Sequence, residues 1–292
     1  MEAVRAHPAR RRVQARLDPS ARDPAARPTA LERISGPPPL RGVGPSCSAD
    51  LRSDAVVPAD RRLAWDACLN VRDLGGLNCG GATLRRGRLI RASMLGTLAP
   101  GGREAMRAHG IRTVIDLRTE DELAEAPSPF REGLTYRHVP FTVARTMGLH
   151  RAAAEGTMSD ELRRLAVADG GIGGPVRAIA AAEPGVLLHC LAGRDRTGIV
   201  VAVVLAALDV PDEEIVADYV ASDAELEPDY VRFRTANPDR AADVDAGIER
   251  RAWTMGEVLT TWRVSFGGAA AYLKTAGIRD GEVEAIRAKL TA

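Results

Sequence analysis

The chain has 292 residues, 45% hydrophobic and 27% charged, enough to bury a sizeable core without disulfide or metal staples. Its 40 basic and 39 acidic residues nearly cancel, which argues against a dedicated nucleic-acid partner. Its longest apolar run, Ile199 to Leu208, is far shorter than the roughly 20 residues needed to span a membrane.

Residues 1–60 hold nine of the 18 prolines and ten arginines but none of the aromatic residues, the first of which is Trp65. Such a segment cannot build a core, and it reads as a disordered Arg/Pro-rich leader with at most a weak helix over Ala25–Ile34. It lacks the apolar stretch of a Sec signal peptide. The four cysteines, Cys47, Cys68, Cys79 and Cys190, have neither CxxC spacing nor the density of a secreted scaffold. Free thiols and a cytoplasmic setting are therefore expected, although a protective pairing of Cys68 or Cys79 with Cys190 stays open at this level.

From residue 61 to 292, short apolar runs alternate with amphipathic stretches, the pattern of a single α/β domain. Strands are expected at Arg88–Arg91, Arg112–Leu117 and Gly185–His189. The second follows an amphipathic helix over Gly101–His109 that Gly110 ends. Residues 142–172 read as amphipathic fragments, a helical lid or an ordinary packed helix, and the small-residue stretch Gly170–Gly174 as a loop. Helices are expected over Thr197–Leu208, Pro211–Ala221, Thr254–Leu273 and Asp280–Leu290. Tyr219, Tyr230 and Phe233 form a stripe read as packing.

The informative segment is His189-Cys190-Leu191-Ala192-Gly193-Arg194-Asp195-Arg196-Thr197-Gly198, a Cys-x5-Arg loop between a buried strand and a helix. A loop so placed can turn the backbone amides of Leu191, Ala192, Gly193, Arg194, Asp195 and Arg196 onto one anion, with the helix end adding positive potential. Arg196 would hold two phosphate oxygens in a fork. These surroundings favour thiolate over thiol at Cys190, which could attack phosphorus in line and form a phosphocysteine without metal or other cofactor. Thr197 would donate to the sulfur, and His189 would brace the loop rather than act as a base. The proton for the leaving group has two candidate sources, Asp195 inside the loop and Asp116 at the end of a strand. Asp195 could equally pair with an arginine and Asp116 could equally anchor loop amides. Arg72 and Asp73, beside Gly75 and Gly76, suggest a structural turn.

The segment HCLAGRDRTG closely resembles the HCxxGKDRTG signature of the bacterial tyrosine-protein phosphatase family, whose members look like dual-specificity and phosphoinositide phosphatases. Asn70 to Gly76, Leu89 to Ser93 and Ile111 to Arg118 resemble three further blocks of that family in the same order, over about residues 62–290. Arg194 departs from the family's usual Lys. The resemblance implies a cysteine-phosphatase fold with a central, mostly parallel sheet and a helical C-terminal part. It also implies a phosphorylated protein substrate with phosphotyrosine specificity, dual specificity possible, or alternatively a phosphoinositide. The loop Asp as acid is similar to the arrangement in myotubularin lipid phosphatases. A rhodanese-like sulfurtransferase and an inactive phosphate-recognition module are the rival readings.

Overall fold

In the computed structural model, the residues described are 58, 60–130, 133–141, 171–249 and 251–292. The lid expected within 142–172 lies outside them except for its last two residues, as do the N-terminal leader except Pro58 and Asp60, and Cys47.

A five-stranded sheet has the order β1 (Arg72–Asp73), β4 (Leu89–Ala92), β7 (Val186–His189), β5 (Thr113–Asp116), β6 (Thr135–His138). β4, β7, β5 and β6 run parallel, and β1 joins the edge antiparallel. A hairpin of β2 (Asn78–Cys79) and β3 (Ala82–Thr83) stands apart. The register places Ala92 and Asp116 on either side of His189, so Ser93, Leu117 and Cys190 leave the sheet at one C-terminal edge. Ligand sites of parallel α/β sheets collect at this edge.

The central strands are buried on both faces, as continuous apolar runs predict. Leu188, Ile115 and Leu89 enter one core with the helices α3 (Gly173–Ala180), α4 (Asp195–Ala207), α5 (Asp212–Glu225), α8 (Arg251–Phe266), α9 (Ala269–Thr275) and α10 (Asp280–Leu290). Leu187, Val114 and Ile90 face a second core built with Trp65, Phe130 and Met106 of α1 (Pro100–Ala108). Helix α4 is apolar nearly all round, with Ile199, Val200, Val203 and Leu205 fully buried. Each such side chain contributes about 1.5–3 kcal/mol of transfer free energy, so the element that carries the loop's end is anchored deep in the core.

Two expectations need correction. The single helix over Thr254–Leu273 is two, because Gly267 and Gly268 adopt φ +80° and +119°. Their amides bond back to the carbonyls of Arg263 and Trp262, and the five-residue turn from Gly267 to Arg263 is an αL termination, which favours glycine. Helix α3 starts at Gly173, inside the stretch read as a loop. There a Cβ would stand 2.5 Å from the Ala276 carbonyl oxygen, so the glycine serves close packing rather than a turn. The short helix α2 (Glu120–Glu125), strand β6 and the helices α6 (Glu227–Ala236) and α7 (Ala241–Glu249) had no sequence expectation.

Candidate active site

Cys190 is the first residue after β7 and is 3% exposed. From it the chain curls through Leu191–Arg194 into α4, which begins at Asp195, two residues earlier than the apolar pattern indicated. Arg196 and Thr197 therefore sit in the helix's first turn.

The curl is held from outside by its carbonyls. His189 donates through Nδ1 to the Cys190 oxygen at 3.1 Å, the Met94 amide to Leu191 at 2.9 Å, Asn70 Nδ2 to Ala192 at 3.0 Å and the Arg91 guanidinium to Gly193 at 2.7 Å. The Arg194 oxygen receives Gly198 N at 2.6 Å. With the carbonyls turned outward, the amides from Leu191 to Thr197 are left for the concave side, and none donates to another group among the described residues. Such a row of amides at a helix N-terminus is an anion site. Gly193 makes the tight turn possible. Its φ is +66°, and a Cβ there would lie 2.1 Å from the Ala92 oxygen.

The sequence blocks that flank the loop act on it through space. Asn70 and Arg91 supply the two bonds just given, and Arg91 also pairs with Asp218 at 2.6 Å. Arg61 and Arg72 reach the same carboxylate at 2.7 and 3.2 Å. All four groups are buried. Burial alone would raise the Asp218 pKa, but the three guanidinium groups hold it well below the usual carboxylate range. Three cations around one carboxylate leave a net positive charge behind the loop, which favours an anion in front of it. Asp73 makes the expected turn, accepting from the Gly75 and Gly87 amides at 2.8 and 2.7 Å. Arg72, read as part of that turn, instead reaches across to α5.

Arg196 presents its fork to Glu122 of α2, with NH1 2.6 Å from Oε2 and NH2 2.7 Å from Oε1. Burial opposes its charge, but the pair with Glu122 holds it firmly protonated. Glu122 is also the third residue of a capping box with Thr119, which fixes its backbone. The Thr197 hydroxyl is fully buried and has no hydrogen-bond partner among the described residues.

The two candidate proton donors are both engaged as carboxylates. Asp116 is wholly buried; it accepts from Arg118 Nε, NH2 and backbone N and from the Tyr136 hydroxyl, and lies 3.5 Å from His189 Nε2. Burial would raise its pKa, but Arg118 brings it down to about 2. It braces Arg118 and His189 and has no surface from which to give a proton. Asp195 is held by a two-pronged pair with Arg194, Nε–Oδ1 3.0 Å and NH2–Oδ2 2.9 Å, and by the Tyr219 hydroxyl at 3.0 Å. Here too the cation overrides burial and keeps the group ionised. Asp195 nonetheless opens α4 directly after the loop and is partly exposed.

The aromatic stripe divides. Tyr219 is core, Tyr230 shares its hydroxyl between Arg194 and Asp223, and Phe233 faces outward under Arg240. Sequence reasoning did not single out Glu122, Asp218, Asp223 or Arg251. Thr119-x-x-Glu122 is a legible capping signal, and Asp218 is an acid inside an apolar helical run. The other two leave no local trace.

Comparison with known proteins agrees with this geometry. The chain is 30% identical to a tyrosine-protein phosphatase of Nostoc commune over 229 residues, covering 73% of this chain and 77% of that protein. It is 30% identical to the triple specificity protein phosphatase PtpB of Mycobacterium tuberculosis over 279 residues, covering 78% and 96%. The model of the tyrosine phosphatase family matches residues 63–292, so the chain belongs to the tyrosine phosphatase family and is a phosphoric monoester hydrolase.

Proposed function

We propose that Cys190 is the nucleophile of a two-step phosphoryl transfer, and that residues 61–292 form the phosphatase domain. The observation that carries the reading is the outward tethering of the loop carbonyls, which leaves the amides of Leu191 to Arg196 converging beside a buried cysteine at a helix start. A phosphate monoester binds to these amides and to the Arg196 fork, displacing Glu122. The Cys190 thiolate attacks phosphorus in line, the phosphorus–oxygen ester bond breaks, and the leaving oxygen takes a proton. Water then attacks the phosphocysteine, the phosphorus–sulfur bond breaks with the Thr197 hydroxyl stabilising the departing thiolate, and orthophosphate leaves.

Asp195 is the proton donor in this reading, and Asp116 a brace. A phosphate dianion draws Arg194 toward itself. Asp195 thereby loses a cation and gains an anionic neighbour, and both changes raise its proton affinity. In the second step its carboxylate accepts the proton of the attacking water.

The substrate is protein phosphotyrosine with wider specificity, as the triple-specificity relative's name supports for the family. The basic pair Arg194 and Arg196, which would attract a polyphosphorylated lipid headgroup, is neutralised by Asp195 and Glu122, which favours a substrate carrying a single phosphate. Three buried free thiols, Cys68, Cys79 and Cys190, together with the absence of a helix long and apolar enough to cross a membrane among the described residues, support a cytoplasmic setting.

The test is hydrolysis of para-nitrophenyl phosphate and of phosphotyrosine peptides with chelator present. Activity abolished in Cys190→Ser, together with thiol-linked phosphate on acid-quenched wild type, is expected. Full activity in Cys190→Ser would refute the nucleophile assignment.

A further inference from the structure

Asp195 belongs to a closed ring of side chains drawn from the loop and four helices. Arg194 pairs with Asp195 and reaches the Tyr230 hydroxyl. That hydroxyl donates to Asp223 Oδ1 at 2.7 Å, Asp223 Oδ2 accepts from Arg251 Nε at 3.1 Å, and Arg251 NH1 closes the ring 3.9 Å from Asp195 Oδ1. The two cations differ in placement. Arg194 sits in the loop as the residue preceding α4, whereas Arg251 is 5% exposed and is tied by Asp223 to the body of α5.

We propose that Arg251 is a positioning residue for Asp195: the fixed cation that remains beside the carboxylate after substrate has drawn Arg194 away, and so sets the upper pH limit of catalysis. This rests on the reading of Asp195 as proton donor. Among the described residues, the charged and titratable groups that act on Asp195 fit the assignment. The loop supplies Arg194, exchangeable, and Arg196, engaged by phosphate during turnover. Tyr219 and Asp223 come from α5, Tyr230 from α6 and Arg251 from α8. Burial and neighbouring anions hold both tyrosines protonated well above neutrality, so they donate hydrogen bonds but add no charge. With Arg194 and Arg196 on the phosphate, Arg251 is the remaining cation of the set.

The distance of 3.9 Å is held by Asp223, which draws the guanidinium away from Asp195. Two opposite perturbations follow. Removing the cation leaves Asp195 a better proton holder; removing Asp223 lets Arg251 close on Asp195 and makes it a poorer one.

The experiment is the pH profile of kcat, which titrates groups in the substrate complex, for phenyl phosphate, whose phenolate is a poor leaving group that needs the proton, with para-nitrophenyl phosphate as a less demanding control. Wild type, Asp195→Asn, Arg251→Met, Arg251→Lys and Asp223→Asn are compared. Asp195→Asn is expected to lose the basic limb. Arg251→Met should move that limb up by roughly one pH unit, the lower end of the effect of a charge about 4–6 Å away. Arg251→Lys should restore the wild-type limb and Asp223→Asn should move it down, all with the acid limb unmoved. If Asp195→Asn keeps the basic limb, the proton-donor reading itself fails. If Asp195→Asn loses it but neither Arg251→Met nor Asp223→Asn shifts it, the donor reading stands and Arg251 is merely structural. Should Arg251→Met fail to fold, as judged by circular dichroism, the opposite-signed shift in Asp223→Asn and its absence in Arg251→Lys decide the matter.

Discussion

Arg196 and Glu122 meet as a two-pronged pair, 2.6 and 2.7 Å between their nitrogens and oxygens, so the fork that would grip phosphate grips a carboxylate of the same shape. Glu122 both holds the guanidinium in place and competes with substrate for it. In Glu122→Gln the charge competition disappears, so orthophosphate should inhibit several-fold more tightly, about 1 kcal/mol, while kcat falls about tenfold because the fork is less firmly aimed. An inhibition constant for orthophosphate equal to that of wild type would show that the pair does not compete.

Gly193 is the point of least tolerance in the loop. With φ +66° and the Ala92 oxygen 2.1 Å from where a Cβ would stand, Gly193→Ala must shift either the loop or β4. It should cost about 2–3 kcal/mol in chemical denaturation and lower kcat/KM at least about 100-fold. The control is Gly281→Ala in α10, where a Cβ meets nothing within 4 Å; activity should be unchanged there and stability equal or up to about 1 kcal/mol higher.

Asp218 is the counter-ion of three buried guanidinium groups. Removing one partner of a buried ionic cluster leaves uncompensated charge, so Asp218→Asn should lose about 3–5 kcal/mol. Adding Arg61→Met should recover part of that loss in a double-mutant cycle, because one of the stranded charges goes with it. Strict additivity of the two changes would contradict the coupling.

The acid limit of folding should follow the buried carboxylates. The pKa of Asp116 lies at about 2 in the folded protein, below the ordinary 3.8. Because it is depressed on folding, the stability it adds is fully present above about pH 4 and is lost as pH falls toward 2. The size is on the order of 2 kcal/mol. Asp195 and Asp218 shift in the same direction, so urea midpoints should be flat from neutrality to about pH 4 and drop below it. Asp116→Asn should start lower and fall less steeply over that range.

The Cys-x5-Arg loop was legible as a strand-to-helix turn because its residues are local: cysteine, glycine and arginine fall within seven residues between a strand and a helix whose periods are plain. The strands β4, β5 and β7 and the final helix were legible for the same reason, as runs of one clear pattern. Helices α6 and α7 were not, since they bury no residue and so no core contact imposes a helical period on their sequences. The split at Gly267 was missed because the apolar pattern continues across it and only the backbone dihedrals break. The roles of Asn70, Arg91 and Asp218 were beyond sequence reasoning for another reason. Each acts on a partner 102 to 127 residues away, and no spacing rule reaches that far.

The outward tethering of the loop carbonyls has an engineering consequence. Asn70 and Arg91 hold Ala192 and Gly193 from 122 and 102 positions upstream, and Arg91 is itself seated by Asp218. A decapeptide copied from His189–Gly198 into another strand–helix junction would carry Cys190 but not the scaffold that curls the loop. A successful transplant must bring Asn70, β1, β4 and the turn of α5 that carries Asp218 along with the loop.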